Sequence, residues 1–122
     1  MKAIAAHLKD EIDRLMTALQ TLKELKALQM YYSGQLEIMT ETEKDDLLRV
    51  SGEYGRFPEA RLGVPKGTTI SGMASVAQKK ANHWNAKASN GWMMPGTYIE
   101  VATIAARSYE LIHYHLSALV EE

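Results

Sequence analysis

Apolar residues recur through the first third of the chain at spacings of four and three: Leu8, Ile12, Leu15, Leu19 and Leu22. That rhythm lines them up on one side of a helix. Leu25, Leu28 and Tyr32 continue the row with a small drift, and no proline interrupts it. The pattern predicts one long helix over residues 3 to about 38, with Asp10 and Arg14 as a supporting i,i+4 pair. So clean a stripe on so long a helix points to packing against a partner helix. That helix is either in the same chain or in another copy, and a helical homo-oligomer is the expectation carried forward.

Thr40 stands three residues ahead of Glu43, the spacing of a capping box. It predicts a second helix over about Glu41 to Tyr54, with Leu47, Leu48 and Val50 as its apolar side. Gly52 and Gly55 weaken its end, and Phe57-Pro58 should stop it. Arg56 to Ser71 reads as an irregular or extended segment punctuated by Gly63, Pro65 and Gly67. Thr68 to Ile70 has the character of a short strand, and Ser71 is placed to cap a short helix over Gly72 to about Asn82. Asn82 to Gly96 is rich in asparagine and glycine, which favour turns, and reads as irregular. Thr97 and Glu100 form a second capping box, which predicts a last helix from about Tyr98 to Val120. Its apolar face is Tyr98, Ala102, Ala105, Tyr109, Ile112, Leu116 and Leu119.

The fold class that follows is mainly α, in one domain of 122 residues. Within it, residues 1–55 form a helical, oligomerising part, 56–97 an irregular ligand-binding part, and 98–120 a closing helix. With no cysteine, disulfides, thiolate metal sites and cysteine catalysis are excluded. No apolar run is long enough to span a bilayer, and the first residues lack the apolar block of a signal peptide. The expectation is a cytoplasmic protein with no membrane partner.

Charge changes the picture in one respect. Eleven of the fifteen carboxylates lie between Asp10 and Glu59, and none lies between Ala60 and Ile99. That acid-free stretch holds Arg61, Lys66, Lys79, Lys80, Lys87 and His83. It either attracts an anion or is neutralised by acids brought beside it in the fold. It also holds both tryptophans, Trp84 and Trp92, and Asn82, Asn85 and Asn90. A nucleotide needs a flat surface for its base, hydrogen bonds for the base edges and cations for its phosphates. Here the rings and asparagines supply the first two, and Arg56, Lys66 and Arg107 supply the third. The alternative is that the tryptophans are core and the asparagines turn residues. Arg107 sits mid-way along an apolar helix, where a buried guanidinium would need Glu110 or a ligand phosphate.

Other patterns are weaker. Arg107 and His113 resemble the R-x(4–6)-H motif of the helical HEPN ribonucleases, although six residues on one helix turn the side chains apart. Glu110-x-x-His113 matches the metal pair of ferritin-like proteins, without a second such pair in the chain. Gln78, Lys79, Lys80, Asn82, Trp84 and Lys87 have the make-up of a helix facing a nucleic-acid backbone. No nucleophile–base set stands out, which favours a binder over an enzyme.

In residue type and order, Arg56, Trp84 or its neighbour His83, Asn90 and Arg107 resemble the binding set of the phage anti-Thoeris family. These small sponges sequester the cyclic ADP-ribose signal made by bacterial TIR-domain defence enzymes. The resemblance covers roughly residues 55 to 110. It implies a helical oligomer with ligand pockets at a dimer interface. There Arg56 and Arg107 would face phosphates, Trp84 would stack on adenine, and Asn90 would bond a base edge or ribose. The implied ligand is a cyclic ADP-ribose isomer or another cyclic oligonucleotide, bound intact in the host cytoplasm without cofactor or metal. A helical adaptor for protein or nucleic acid is the alternative, and a HEPN-like ribonuclease the third.

Overall fold

The computed structural model describes residues 2–90 and 93–120, so Trp92, one of the two tryptophans considered for stacking, lies outside the described residues. Its elements are α1 (Lys2–Tyr32), α2 (Glu41–Val50), α3 (Pro58–Leu62), α4 (Ile70–Asn90) and α5 (Gly96–Val120). The fold is mainly α, and the short strand expected at Thr68 to Ile70 is not formed. No helix is long and apolar enough to cross a membrane among the described residues.

The capping box of α2 forms as expected: Thr40 Oγ1 accepts from the Glu43 N–H, and Glu43 Oε1 accepts from the Thr40 N–H at 3.0 Å. The helix ends are set by glycine. α1 stops at Tyr32, short of residue 38, because Gly34 takes φ +80° and turns the chain. The Gly34 and Gln35 N–H groups then bond back to the carbonyls of Tyr31 and Met30, the Schellman pattern. Gly52 at φ +87° closes α2 by the same bonds to Arg49 and Leu48, and α2 therefore ends at Val50.

The middle of the chain is more regular than its composition suggests. Pro58 opens a short α3. α4 begins at Ile70, with Thr69 as its cap: Thr69 Oγ1 accepts from the Gly72 N–H at 3.0 Å. Ser71, expected as the cap, lies inside the first turn. α4 then runs unbroken through Asn82 to Asn90, where an irregular segment was expected. The reason is tertiary. Met73, Ala74, Ala77, Ala81 and Trp84 form a buried row along α4. They meet Val101, Ala102, Ala105, Ala106 and Tyr109 of α5 in one core. The alanines let the two helices approach closely. Packing outweighs the turn preference of the exposed asparagines. Thr97, read as a cap, lies inside the first turn of α5, which starts at Gly96.

α1 and α4 flank α5, each antiparallel to it. Gln20 meets Ile104 and Ser108, and Lys26 meets Glu100. On the other side Asn85 meets Glu110. α2 meets α4 and α5 at Asp46, whose carboxylate accepts from Lys80 and whose carbonyl accepts from the Tyr109 hydroxyl, and its Leu47 and Val50 are buried. α1 turns its polar side inward, with Gln20, Glu24 and Ala27 buried. Its leucine stripe faces out.

Candidate functional site

The acid-free stretch is partly neutralised by acids from earlier in the chain. Lys80 Nζ lies 2.9 Å from Asp46 of α2. Arg61 Nη2 lies 2.6 Å from Glu24 of α1. The charge of Lys87 helps to hold the Glu43 carboxyl below its ordinary pKa. The positive field read from the sequence is therefore weaker in the fold, and the nucleic-acid face read along α4 loses Lys80 and Trp84.

The five residues singled out for ligand binding fall in separate places. Trp84 is fully buried among α4 and α5 side chains, with its indole N–H unpartnered. It has no face to offer a ligand, so it cannot be the stacking ring expected from the sequence. His83 is exposed and packs edge-on to Trp84, with ring centroids 5.9 Å apart. His83 and Asn90 do come together, with Lys87, Met94 and Tyr98, around a groove of about 350 Å³. Arg56 is held on the α2–α3 connection. Its Nη1 donates to the Ser51 carbonyl at 3.0 Å and lies 3.6 Å from Glu24. A side chain on Gly52 would collide with this guanidinium, so the glycine makes room for it as well as for the turn. Arg107 is not buried: 64% of its side chain is exposed, and it pairs with Glu110 at 3.0 Å.

The competing motifs gain no partners. Ser117 Oγ lies 3.3 Å from His113 Nε2, and Arg107 turns to Glu110, so the two do not converge as a nuclease pair. No cluster of three metal-ligating side chains occurs among the described residues, which leaves the Glu110 and His113 pair without further ligands.

Arg107 instead stands where two hollows meet in the furrow between α1 and α5. One, of about 520 Å³, is lined by Lys23, Lys26, Glu100, Thr103, Ile104 and Arg107. Three cations there face one carboxylate. Lys26 is tied to Glu100 at 2.5 Å, while Lys23 makes no ion pair among the described residues. The other hollow, of about 390 Å³, is lined by Met16, Leu111, Tyr114, Gln20, Asp13 and Glu110 as well as Arg107. Its surface is mostly apolar, and Tyr114 is 45% exposed. One side of Arg107 therefore carries charge, and the other carries an aromatic and aliphatic surface edged by carboxylates.

Sequence reading found Arg107 but missed Lys23, Lys26, Thr103 and Tyr114. The i,i+3 placement of Lys23 and Lys26 put both lysines on neighbouring faces of α1. Nothing in the sequence said that Arg107, some eighty residues later, would face them.

Comparison with known proteins found no matching family model, no matching curated protein and no matching solved structure.

Proposed function

We propose that this protein binds a small anionic nucleotide of the cyclic ADP-ribose class in the α1/α5 furrow and holds it intact, acting as a phage anti-defence sponge. The observation that carries the reading is the position of Arg107, shared by a basic hollow and an apolar one. A nucleotide has the same division. Its phosphates would take Arg107, Lys23 and Lys26, with the Thr103 hydroxyl beside them. Its base would lie on Tyr114, Leu111 and Met16, and its ribose hydroxyls would donate to Asp13. The furrow offers no nucleophile paired with a base, so the reading is retention without turnover. Relative to the set implied by the family resemblance, Arg107 is kept, and Tyr114 replaces Trp84 as the stacking ring.

Calorimetry with cyclic ADP-ribose isomers and linear ADP-ribose tests the reading. Binding is expected for a cyclic isomer, with the ligand recovered unchanged in mass. Arg107→Ala should abolish it while the helical circular dichroism stays the same. A folded protein that gives no heat with any of these ligands overturns the reading.

A second reading, an adaptor for another helical protein, is favoured by the exposed apolar side of α1. Pull-down of a cellular protein that is lost on Leu15→Glu, without nucleotide binding, would select it.

A further inference from the structure

The two helices that form the furrow repeat in step. Met16, Lys23 and Met30 of α1 are seven residues apart, and so are Tyr114, Arg107 and Glu100 of α5. Seven residues are close to two helical turns, so each trio lies along one side of its helix. The helices run antiparallel, and the trios meet rung by rung: Met16 with Tyr114, Lys23 with Arg107, Met30 with Glu100. Each rung lies about 10 Å from the next along the axis. The first rung is the apolar hollow and the second the basic one. The third is a further hollow of about 400 Å³, which the nucleotide reading does not use.

This third hollow has the make-up of a site for a neutral group with polar edges. Gln29, Ser33, Gln35 and Thr97 line it around the thioether of Met30. Lys26 and Glu100 border both this hollow and the basic one, and they pair with each other at 2.5 Å. Gln35 Nε2 donates to Ser33 Oγ at 2.8 Å, and Ser33 Oγ donates to the Met30 carbonyl at 3.1 Å, so part of the wall is ordered in advance. Amide side chains carry both donors and acceptors, which is what the edge of a nucleobase requires. A polarizable thioether beside them suits the face of an aromatic ring. A phosphate gains less here, where the lysine is already paired, than on the middle rung.

We infer that the furrow takes a linear dinucleotide, two nucleosides joined through a pyrophosphate, with the second base in this third hollow. The inference rests on the nucleotide reading and extends it from one base to two. The order of the rungs is the order of such a ligand: base, phosphates, base. The outer rungs stand about 21 Å apart along α1, a span that a nucleotide with one base does not fill. The Lys26 and Glu100 pair lies on the way. A pyrophosphate on Lys23 and Arg107 draws Lys26 toward itself, and Glu100 is left to accept from the hydroxyls of the second ribose.

Calorimetry of the full chain with ADP, diadenosine diphosphate and cyclic ADP-ribose tests it. Diadenosine diphosphate carries less negative charge than ADP, so tighter binding reports the second nucleoside and not the phosphates. It is expected to bind about tenfold more tightly than ADP, the effect of one further stacked base. Gln29→Ala with Gln35→Ala should bring it down to the affinity of ADP and leave ADP unchanged. Both side chains are exposed, so the double variant should keep its helical circular dichroism. An affinity for diadenosine diphosphate no higher than that for ADP overturns the inference, and so does a preference that survives the double variant. If cyclic ADP-ribose gives heat in either case, the nucleotide reading itself stands. If none of the three ligands gives heat with the folded protein, the nucleotide reading falls and this inference falls with it.

Discussion

Glu24 of α1 and Arg61 of α3 form an ion pair of 2.6 Å from which water is nearly excluded, their side chains being 3% and 16% exposed. Ser108 of α5 donates to the same carboxylate oxygen at 2.6 Å, and Arg61 Nε donates to the Val50 carbonyl at 2.8 Å. Four helices are tied at this one point. Burial pulls the Arg61 pKa down from its usual value, and the Glu24 carboxylate pushes it back up. Removing one partner strands the other charge. Glu24→Ala should therefore cost about 3–5 kcal/mol of folding stability. Adding Arg61→Ala to it should cost less than the sum of the two single changes. Urea denaturation of the two single variants and the double variant checks both statements.

A second buried polar contact makes stability depend on pH. The Tyr98 hydroxyl donates to Glu43 Oε2 at 2.5 Å. Burial pushes the Glu43 pKa up. The Thr40 N–H, the Tyr98 and Thr40 hydroxyls and the charge of Lys87 outweigh it and hold the carboxyl below its ordinary 4.5. Glu43 therefore binds its proton more readily in the unfolded chain. Its contribution is present above the ordinary glutamate value and is lost as pH falls through the lowered one. Tyr98 moves the other way: burial and then the Glu43 carboxylate raise its pKa above 10. Its contribution is complete below pH ~10 and fades as the medium becomes more alkaline. Denaturation midpoints should be flat near neutrality and fall on both sides. Glu43→Gln should flatten part of the acid limb, and Tyr98→Phe should flatten part of the alkaline one.

Local signals in the sequence translated well. The Thr40 and Glu43 box is a four-residue motif, and it forms. The stripe of α1 depends on spacing alone, and the helix is there. Other local signals missed: Ser71 and Thr97, read as caps, lie inside their helices, and α1 ends at the Gly34 turn. The larger failures depend on partners far along the chain. Asn82 to Asn90 looks like turn sequence, yet Ala77, Ala81 and Trp84 beneath it are held against α5, and the segment stays helical. Glu24 and Gln20 look like surface residues, but their partners Arg61 and Ser108 lie 37 and 88 residues away. The basic stretch was legible as composition, whereas its partial neutralisation by Asp46, Glu43 and Glu24 was not. The same reason explains the furrow. Arg107 was visible as an unusual residue on an apolar helix, but Lys23, Lys26 and Tyr114 become its neighbours only when α1 and α5 pack antiparallel.

The change of stacking ring from Trp84 to Tyr114 separates two sites in one experiment. Trp84 is enclosed in the core, so Trp84→Ala should cost roughly 3–5 kcal/mol of stability through the cavity it leaves. The gentler Trp84→Phe should stay folded and keep nucleotide affinity within about twofold of wild type, well short of a lost stacking contact. Tyr114→Ala removes a half-exposed ring. It should leave stability nearly unchanged and weaken nucleotide binding by about tenfold, the effect of losing 1–2 kcal/mol of stacking. Calorimetry and thermal melts of the variants separate the outcomes. Loss of binding in Trp84→Phe, with Tyr114→Ala unaffected, would move the site away from the furrow.

Glu110 competes for the group that a phosphate would need. It accepts from Arg107 Nη1 at 3.0 Å and from Asn85 Nδ2 at 2.9 Å. An anion entering the furrow has to take Arg107 from this carboxylate and lie near its charge. Glu110→Gln keeps an oxygen for Asn85 and removes the charge. The Arg107 pair is exposed, so its loss costs little: about 1 kcal/mol of stability at most. The same change should tighten nucleotide binding by up to roughly fivefold, because the competing carboxylate is gone and the field at Arg107 becomes more positive. Added salt should shrink the gain, since charges this exposed are screened. Titrations of wild type and Glu110→Gln at low and high salt measure both effects. Weaker binding in Glu110→Gln at low salt would mean that Glu110 holds the ligand directly, through its ribose hydroxyls, and that Arg107 does not have to be released.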